Sequence, residues 1–254
     1  MVHFVGAGPG AEDLITLRGA ALLRQADVVV YAGSLVNPAL LHTCRPDCAI
    51  HNSAEMDLEE VLAVMERAES EGKTTVRLHT GDPSLYGAVR EQMDALRERG
   101  IAFDVTPGVS SFSAAAAALG AEYTLPGVSQ TVILSRAAGR TPVPEKEALP
   151  GLAAHGASLV LFLSAGQLER VQAELLAGGY APDTPAALVY KASWPEEKLC
   201  RCTVGTLAET GIKEEIRKTA LVLVGDFLGN DYERSRLYDP AFETGFRRAK
   251  GEKL

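Results

Sequence analysis

The sequence predicts an α/β protein with largely parallel sheets covered by helices. Short β-rich runs alternate with helical stretches along most of the chain, and this alternation is typical of parallel strands covered by helices. The 254 residues, 46% of them hydrophobic, suffice for one large domain or two small ones, each with its own core. Gly120, Pro126 and Gly127 interrupt the pattern midway. We therefore predict domains at residues 1–122 and 123–254.

The first half is predicted to contain four strands and four helices. Asp57 and Glu60 have the spacing of a capping box, and Gly72 and Gly100 follow two helical stretches. Ser110 or Ser111 could cap the last helix. The predicted strands are Val2–Gly6, Val28–Tyr31, Thr74–Leu78 and Ala102–Val105, and the helices are Leu17–Gln25, Leu58–Glu71, Tyr86–Arg99 and Ala114–Ala118.

The second half repeats the pattern around one long connection. Arg136–Pro150 contains Gly139 and three prolines, so we predict a long functional or mobile loop. The charged tail from about residue 230 lacks apolar periodicity and is expected to lie on the surface. The predicted strands are Thr131–Ser135, Ser158–Leu163, Ala186–Tyr190 and Ala220–Gly225, with helices at Gln167–Ala177 and Leu207–Arg217.

Composition and charge narrow the classes of partner. The formal net charge of −8 disfavours nucleic acid and anionic membranes, which both require a basic surface. The chain starts with a strand and a glycine turn instead of a cationic leader, so we expect a cytoplasmic protein. The pairs Cys44/Cys48 and Cys200/Cys202 do not have the usual spacing of a zinc or redox site. We therefore expect reduced thiols and no metal, although two pairs could in principle meet.

A glycine-rich turn follows the first strand and carries the first chemical signal. Gly6 to Ala11 fits the G-x-G-x-x-A pattern of dinucleotide-binding proteins. However, Pro9 removes a backbone donor, and Glu12 and Asp13 place negative charge where a phosphate would bind. The turn therefore favours a neutral or zwitterionic ligand that approaches the backbone closely, although an NAD-linked oxidoreductase stays as an alternative.

Three motifs in order resemble the signatures of the tetrapyrrole methyltransferases. They are the segments Gly6–Thr16, His79–Gly87 and Thr106–Ser111. Four further segments resemble the branch of that family that methylates C-11 of precorrin-4, in its cobalt-free or cobalt form. These are Tyr31–Val36, Ser129–Arg136, Gly139–Pro144 and Tyr190–Pro195.

The resemblance implies an enzyme of cobalamin biosynthesis that uses S-adenosylmethionine and releases S-adenosylhomocysteine. It also implies a homodimer. Each chain would have two α/β domains with mixed, largely parallel sheets, of which the first carries the cofactor and substrate motifs and the second completes a cleft around the cofactor. Carried over residue by residue, the implied cofactor-binding residues are Pro9, Thr80, Gly81, Asp82, Leu85, Ser110, Ser111, Leu163 and Ala192. Asp82 could accept hydrogen bonds from the cofactor and favour its positive charge, but it could equally be a turn residue before Pro83.

The acceptor implied by the resemblance is a polycarboxylate, which requires cationic side chains. We expect them among the basic residues in or beside the motifs, namely Arg77, Arg90, Arg136, Arg140 and Lys191. Tyr86, His79 and Tyr190 are possible general acids or bases, because a proton must leave or shift on the ring. Asp82 is the further catalytic candidate, through its negative charge beside the cofactor. His79 could also be a packed core residue, and Trp194 is expected to serve packing.

Several functions stay open on the sequence. Within the same class, the chain could methylate another precorrin, uroporphyrinogen or diphthine. In other classes, it could be the NAD-linked oxidoreductase already considered or a tetrapyrrole carrier without catalytic activity.

Overall fold

The computed structural model describes residues 1–250, which separate into two compact units. The first unit comprises Met1–Ala115 together with Lys191–Glu197, and the second comprises Ala116–Tyr190 together with the chain from Lys198 onward. The division falls inside a helix, and a seven-residue segment of the second half packs with the first unit.

The first unit is built on a parallel five-stranded sheet. Its strands are β1 (Val2–Gly6), β2 (Val28–Tyr31), β3 (Ala49–Asn52), β4 (Thr75–His79) and β5 (Phe103–Thr106), in the order β3-β2-β4-β1-β5. All four pairings are parallel. Because parallel strands share a direction, the loops after β1, β4 and β5 begin at one edge of the sheet.

Helices of the first unit pack apolar residues against this sheet. They are α1 (Leu17–Gln25), α2 (Leu58–Ser70), α3 (Arg90–Glu98) and α4 (Ser111–Leu119), the last of which continues into the second unit. The predicted capping box of α2 is confirmed, since Asp57 and Glu60 each accept a hydrogen bond from the other's backbone N–H. The predicted start of α3 at Tyr86 is wrong. Tyr86 and Ala88 have left-handed backbones, with φ of 56° and 48°, which a right-handed helix excludes.

The second unit contains a mixed five-stranded sheet. Its strands are β6 (Val132–Arg136), β7 (Ser158–Phe162), β8 (Pro185–Tyr190), β9 (Lys198–Thr203) and β10 (Ala220–Val224), in the order β6-β7-β10-β8-β9. Only β6 and β7 pair in parallel, whereas β10 runs antiparallel to β7 and β8, and β9 antiparallel to β8. Across the two sheets, parallel pairs predominate, as the sequence predicts.

Helices α5 (Leu149–Ala153), α6 (Leu168–Ala177) and α7 (Leu207–Lys213) cover the second sheet with a continuous apolar core. The predicted long loop is shorter than expected, because a 3₁₀ turn at Glu145–Glu147 and helix α5 occupy its end. Helix α7 also stops before the predicted Arg217, since Glu215 has a φ of 57°. Within residues 1–250, no helix combines the length and apolarity needed to cross a membrane.

Candidate active site

Backbone hydrogen bonds join the loops after β1 and β4. The N–H of Ala7 donates to the carbonyl of His79 at 2.7 Å. Gly8 and Gly81 form an isolated antiparallel bridge, with N–H to carbonyl distances of 2.8 and 3.3 Å. The first two motifs, far apart in sequence, are thus fixed to each other through main-chain atoms.

Glycines let the third loop approach the other two. A Cβ on Gly108 would lie 2.0 Å from the Gly81 carbonyl oxygen and 2.7 Å from the Gly6 Cα, so any side chain there would collide with backbone. Gly81 has a left-handed φ of 60°, and a Cβ on it would lie 3.5 Å from the Ser110 Cα. The three loops consequently form one surface lined by main-chain groups.

Asp82 lies where the second and third loops meet. One carboxylate oxygen accepts from the Ser84 N–H at 2.8 Å and from the Ser84 hydroxyl, and the other accepts from the Gly108 N–H at 2.9 Å. Partial burial alone would raise the pKa of the Asp82 carboxyl, but these hydrogen bonds outweigh it and lower the pKa below its usual range. Asp82 is therefore both a turn residue and an ionised group with remaining acceptor capacity.

The structure brings together most residues predicted to bind the cofactor. Pro9, Gly81, Asp82, Ser110 and Ser111 all belong to the joined loops of the first unit. Thr80 directly precedes the bridged Gly81, and its buried hydroxyl oxygen lacks a hydrogen-bond partner within the described residues. Leu85 follows in the same turn, where its N–H donates to the Asp82 carbonyl at 3.2 Å.

The remaining two predicted cofactor residues lie elsewhere in the chain. Ala192 is buried in the segment that returns to the first unit. Leu163 belongs to the second unit, directly after β7, and combines a left-handed φ of 53° with 66% exposure. An exposed leucine with a strained backbone is unusual in a purely structural position, which is consistent with a binding role. Contact of Leu163 with the cofactor stays a prediction.

His79 and Tyr86 occupy contrasting environments. His79 is 3% exposed at the end of β4, and its ring stacks on Phe4 with centroids 6.0 Å apart. Burial, reinforced by the nearby Arg77 charge, lowers the pKa of His79 to about 3. His79 is therefore a neutral, packed histidine at physiological pH. Tyr86 is 46% exposed on the left-handed turn after Asp82, which leaves it accessible to a ligand.

Arg77 lies in the core of the first unit, where it is 6% exposed. Its guanidinium donates to the Val30 carbonyl at 3.1 Å and to the Gln92 side-chain oxygen at 3.0 Å. Gln92 in turn donates to the carbonyl of Ala88 at 2.9 Å. The predicted substrate residue Arg77 thus supports the left-handed turn that carries Tyr86, and its burial lowers the pKa of the guanidinium to about 10.

Two other predicted substrate residues of the first unit have partners nearby. Arg90 is exposed on α3 and pairs with Asp94 at 2.7 Å, as is usual for a helix-surface ion pair. The Lys191 ammonium lies 5.0 Å from the centre of the Trp194 ring and 3.5 Å from a Glu196 carboxylate oxygen.

Arg136 is the last residue of β6 in the second unit, and Arg140 lies in the loop that follows it. Arg136 donates to the carbonyls of Thr141 at 3.1 Å and Pro142 at 2.7 Å, so its guanidinium holds the loop's own backbone. Arg140 is exposed, and within residues 1–250 its guanidinium makes neither a hydrogen bond nor an ion pair. Arg140 is therefore the cation of this loop that is available to an anionic ligand.

The sequence did not predict the residues that support the candidate site residues through hydrogen bonds. Ser84 and Gly108 fix Asp82, Gln92 links Arg77 to the Tyr86 turn, and Trp194 contacts the first loop. Trp194 could have been found from the sequence, because it lies in the segment Tyr190–Pro195 that resembles the family.

The cysteines do not assemble into a metal site in the part of the chain that is described. Cys44 and Cys48 belong to the first unit, and Cys200 and Cys202 belong to the second. Residues 1–250 hold no cluster of three or more His, Cys, Asp or Glu side chains suited to a metal ion. Burial, with smaller effects of Cys44, raises the pKa of Cys48 to about 11, so this thiol is protonated at neutral pH.

The chain is similar along most of its length to proteins of one family. Residues 1–208 match the model of the "Tetrapyrrole (Corrin/Porphyrin) Methylases". A cobalt-precorrin-4 C(11)-methyltransferase of Methanocaldococcus jannaschii is 51% identical, covering 98% of this chain and 96% of the relative. A precorrin-4 C(11)-methyltransferase of a Sinorhizobium species is 47% identical, covering 99% of both.

Solved structures share the fold. The X-ray structure of a cobalt precorrin-4 methyltransferase, a cobalamin biosynthetic enzyme, superposes with a TM-score of 0.88 at 48% identity, covering 90% of this chain and 96% of the other. Uroporphyrin-III C-methyltransferase of Thermus thermophilus, in complex with S-adenosyl homocysteine, has a TM-score of 0.74 at 29% identity, covering 89% and 92%.

Proposed function

This chain belongs to the tetrapyrrole (corrin/porphyrin) methylases, and we propose that it transfers a methyl group from S-adenosylmethionine to C-11 of precorrin-4 or its cobalt complex. The observation that carries the proposal is the joining of the three motif loops around Asp82. The names of the relatives, which include both the cobalt and the cobalt-free acceptor, support the choice of substrate.

The residues of the joined loops fit a small cofactor that carries a sulfonium, an ammonium and a carboxylate group. Asp82 is ionised, and three donors of its own fold fix its orientation, so it can accept from the amine of the cofactor and favour its positive charge. Gly81 and Gly108 leave their backbone open to close approach. The solved complex of the Thermus relative with S-adenosyl homocysteine supports this choice of ligand.

S-adenosylmethionine supplies, when bound, an electrophilic methyl group on a sulfonium sulfur. The new C–CH₃ bond forms at the electron-rich C-11 as the S–CH₃ bond breaks, and S-adenosylhomocysteine leaves. The protein's contribution is to align the two reactants and exclude water, and this chemistry requires neither a metal nor a covalent nucleophile.

Tyr86 is our candidate for moving the proton that must leave or shift on the ring. Its side chain is half exposed on the turn beside Asp82, and the buried Arg77 and Gln92 support that turn. His79 is not part of the proposed mechanism, because its ring is buried against Phe4 and its pKa of about 3 makes it a weak base. Arg140 is proposed to bind an acidic arm of the substrate.

Location of the transferred methyl group tests the proposal. We expect that incubation with ¹³C-methyl S-adenosylmethionine and precorrin-4, with or without cobalt, places the label at C-11 as read by NMR. Asp82→Asn keeps the side-chain shape but removes the charge, so it should slow labelling by about 100-fold. Label at another ring carbon would favour another precorrin or uroporphyrinogen methyltransferase, and the absence of any label would refute the proposed reaction.

The resemblance also supports a homodimer in the cytoplasm, and both belong to this proposal. Sedimentation of the purified chain at several concentrations tests the dimer. A monomer at every concentration would contradict it.

A further inference from the structure

A short segment of the second half, Lys191–Glu197, packs with the first unit. We call it the return segment. It connects β8 to β9 and contains Trp194, the only tryptophan of the chain. The sequence suggests merely a packing role for Trp194, but its contacts are specific.

The return segment contacts three consecutive residues of the first loop. The Trp194 indole N–H donates to the Pro9 carbonyl at 2.9 Å, and the Ala11 N–H donates to the Ser193 hydroxyl oxygen at 3.0 Å. Between them, a Cβ on Gly10 would lie 2.1 Å from the Trp194 ring, so only glycine fits beneath the indole. Asn37 completes the arrangement by donating to the Gly10 carbonyl at 2.9 Å.

The return segment is itself held in an unusual conformation. Lys191 and Ser193 both have left-handed backbones, with φ of 46° and 67°. The Ser193 N–H donates to the Glu197 carboxylate at 2.6 Å, and the Lys191 ammonium lies over the Trp194 ring. Two strained residues in three persist only where surrounding contacts fix them, and such strain concentrates at functional sites.

We propose that Ser193 and Trp194 are positioning residues that hold the first loop in the conformation that binds the cofactor. This inference rests on the proposed function, in which that loop contacts S-adenosylmethionine. A glycine-rich loop has many accessible conformations, and ordering it on binding would weaken affinity. Hydrogen bonds from the return segment fix Pro9 and Ala11 before the ligand arrives, which removes that cost.

Paired aromatic substitutions separate positioning from general packing. Trp194→Phe keeps an aromatic ring but removes the N–H that donates to Pro9. Tyr180→Phe is the matched control, because it also removes one donor to a backbone carbonyl, the 2.6 Å bond to Ala157 in the second unit. Ser193→Ala tests the second contact and leaves the tryptophan in place.

Three measurements on the intact chain test the proposal. Isothermal titration with S-adenosylhomocysteine should show Kd raised about fivefold to tenfold by Trp194→Phe and by Ser193→Ala, and left unchanged by Tyr180→Phe. Hydrogen exchange without ligand should be faster in the peptide containing residues 6–14 for the two return-segment variants alone. For Trp194→Phe and Ser193→Ala, KM for the cofactor should rise more than kcat falls.

Each outcome decides the inference. Unchanged exchange of the first loop in both variants would refute positioning whatever the ligand, and faster exchange with unchanged Kd would refute its role in binding. A wild-type chain that does not bind S-adenosylhomocysteine would refute the proposed cofactor and, with it, the stated purpose of the two residues. Faster exchange in that case would still identify the failure as that of the cofactor, not of the contacts.

Discussion

The two units each contain a five-stranded sheet, yet the hydrogen bonding of their buried polar side chains differs. In the first unit, β4 places Thr75, Arg77 and His79 on one face, and all three are buried. Thr75 Oγ1 and His79 Nε2 lack hydrogen-bond partners within the described residues. In the second unit, the buried hydroxyls of Ser158 and Ser164 donate to the carbonyls of Tyr123 and Phe162.

The first unit contains the joined loops of the candidate site, whereas the second unit is dominated by its apolar core. The parallel sheet of the first unit aligns three loop starts at one edge, where main-chain groups and the Asp82 carboxylate meet. The second sheet has one parallel pair and an extensive apolar core. Burying polar groups with incomplete bonding costs stability, so we expect the first unit to be the more easily perturbed.

Glycine substitutions should give the largest contrast between the units. Gly108→Ala forces a Cβ to 2.0 Å from the Gly81 carbonyl, which should destabilise the protein by about 3 kcal/mol or more and abolish activity. Gly151→Ala in α5 meets no atom within 4 Å and should stabilise by about 0.5–1 kcal/mol. Urea unfolding measures both changes. Equal effects of the two variants would contradict the close approach of the loops.

Acid should destabilise the protein through His79. Its folded-state pKa of about 3 lies below the ordinary 6.5, so the unfolded chain takes up a proton that the folded chain does not. The free energy of unfolding is therefore unaffected by His79 well above pH 6.5, and it falls as the pH decreases from 6.5 towards 3. Between pH 6.5 and pH 5 the loss should be about 2 kcal/mol.

The slope of stability against pH isolates this effect. Urea unfolding at pH 7, 6 and 5 should show a weaker pH dependence for His79→Gln, which is neutral throughout, than for the wild type. His42→Gln, the same change at an exposed histidine, is the control and should keep the wild-type slope. The prediction fails if the slope of His79→Gln equals that of the wild type.

The smallest expected effect concerns the substrate loop of the second unit. Arg140→Gln removes an exposed, unpaired guanidinium, so KM for the tetrapyrrole should rise about threefold to tenfold, while Kd for S-adenosylhomocysteine and the melting temperature stay unchanged. Arg248→Gln in the exposed tail should change none of them. If Arg140→Gln weakened cofactor binding instead, the assignment of cofactor to the first unit and acidic arms to the second would need revision.

Most regular elements could be predicted from the sequence because their patterns are local. Val2–Gly6, Leu17–Gln25 and Val28–Tyr31 have the predicted bounds, and the α2 capping box forms as its spacing indicates. Strands β3 and β9 were not predicted because polar and charged residues interrupt their apolar runs and leave the strands largely exposed or half-exposed. The start of α3 was misplaced because Tyr86 and Ala88 have positive φ values in a turn that Gln92 supports, and Gln92 is itself held by Arg77 of β4.

The candidate site divides in the same way. The sequence by itself determined the glycine motifs, Asp82 and the family resemblance, because these depend on residue identity and order. Only the tertiary structure decided which charges are available. Arg77 and His79 lie in a core, and the Trp194 indole donates to Pro9 across 185 positions. Burial and hydrogen bonding depend on neighbours distant in sequence, and no local pattern encodes them.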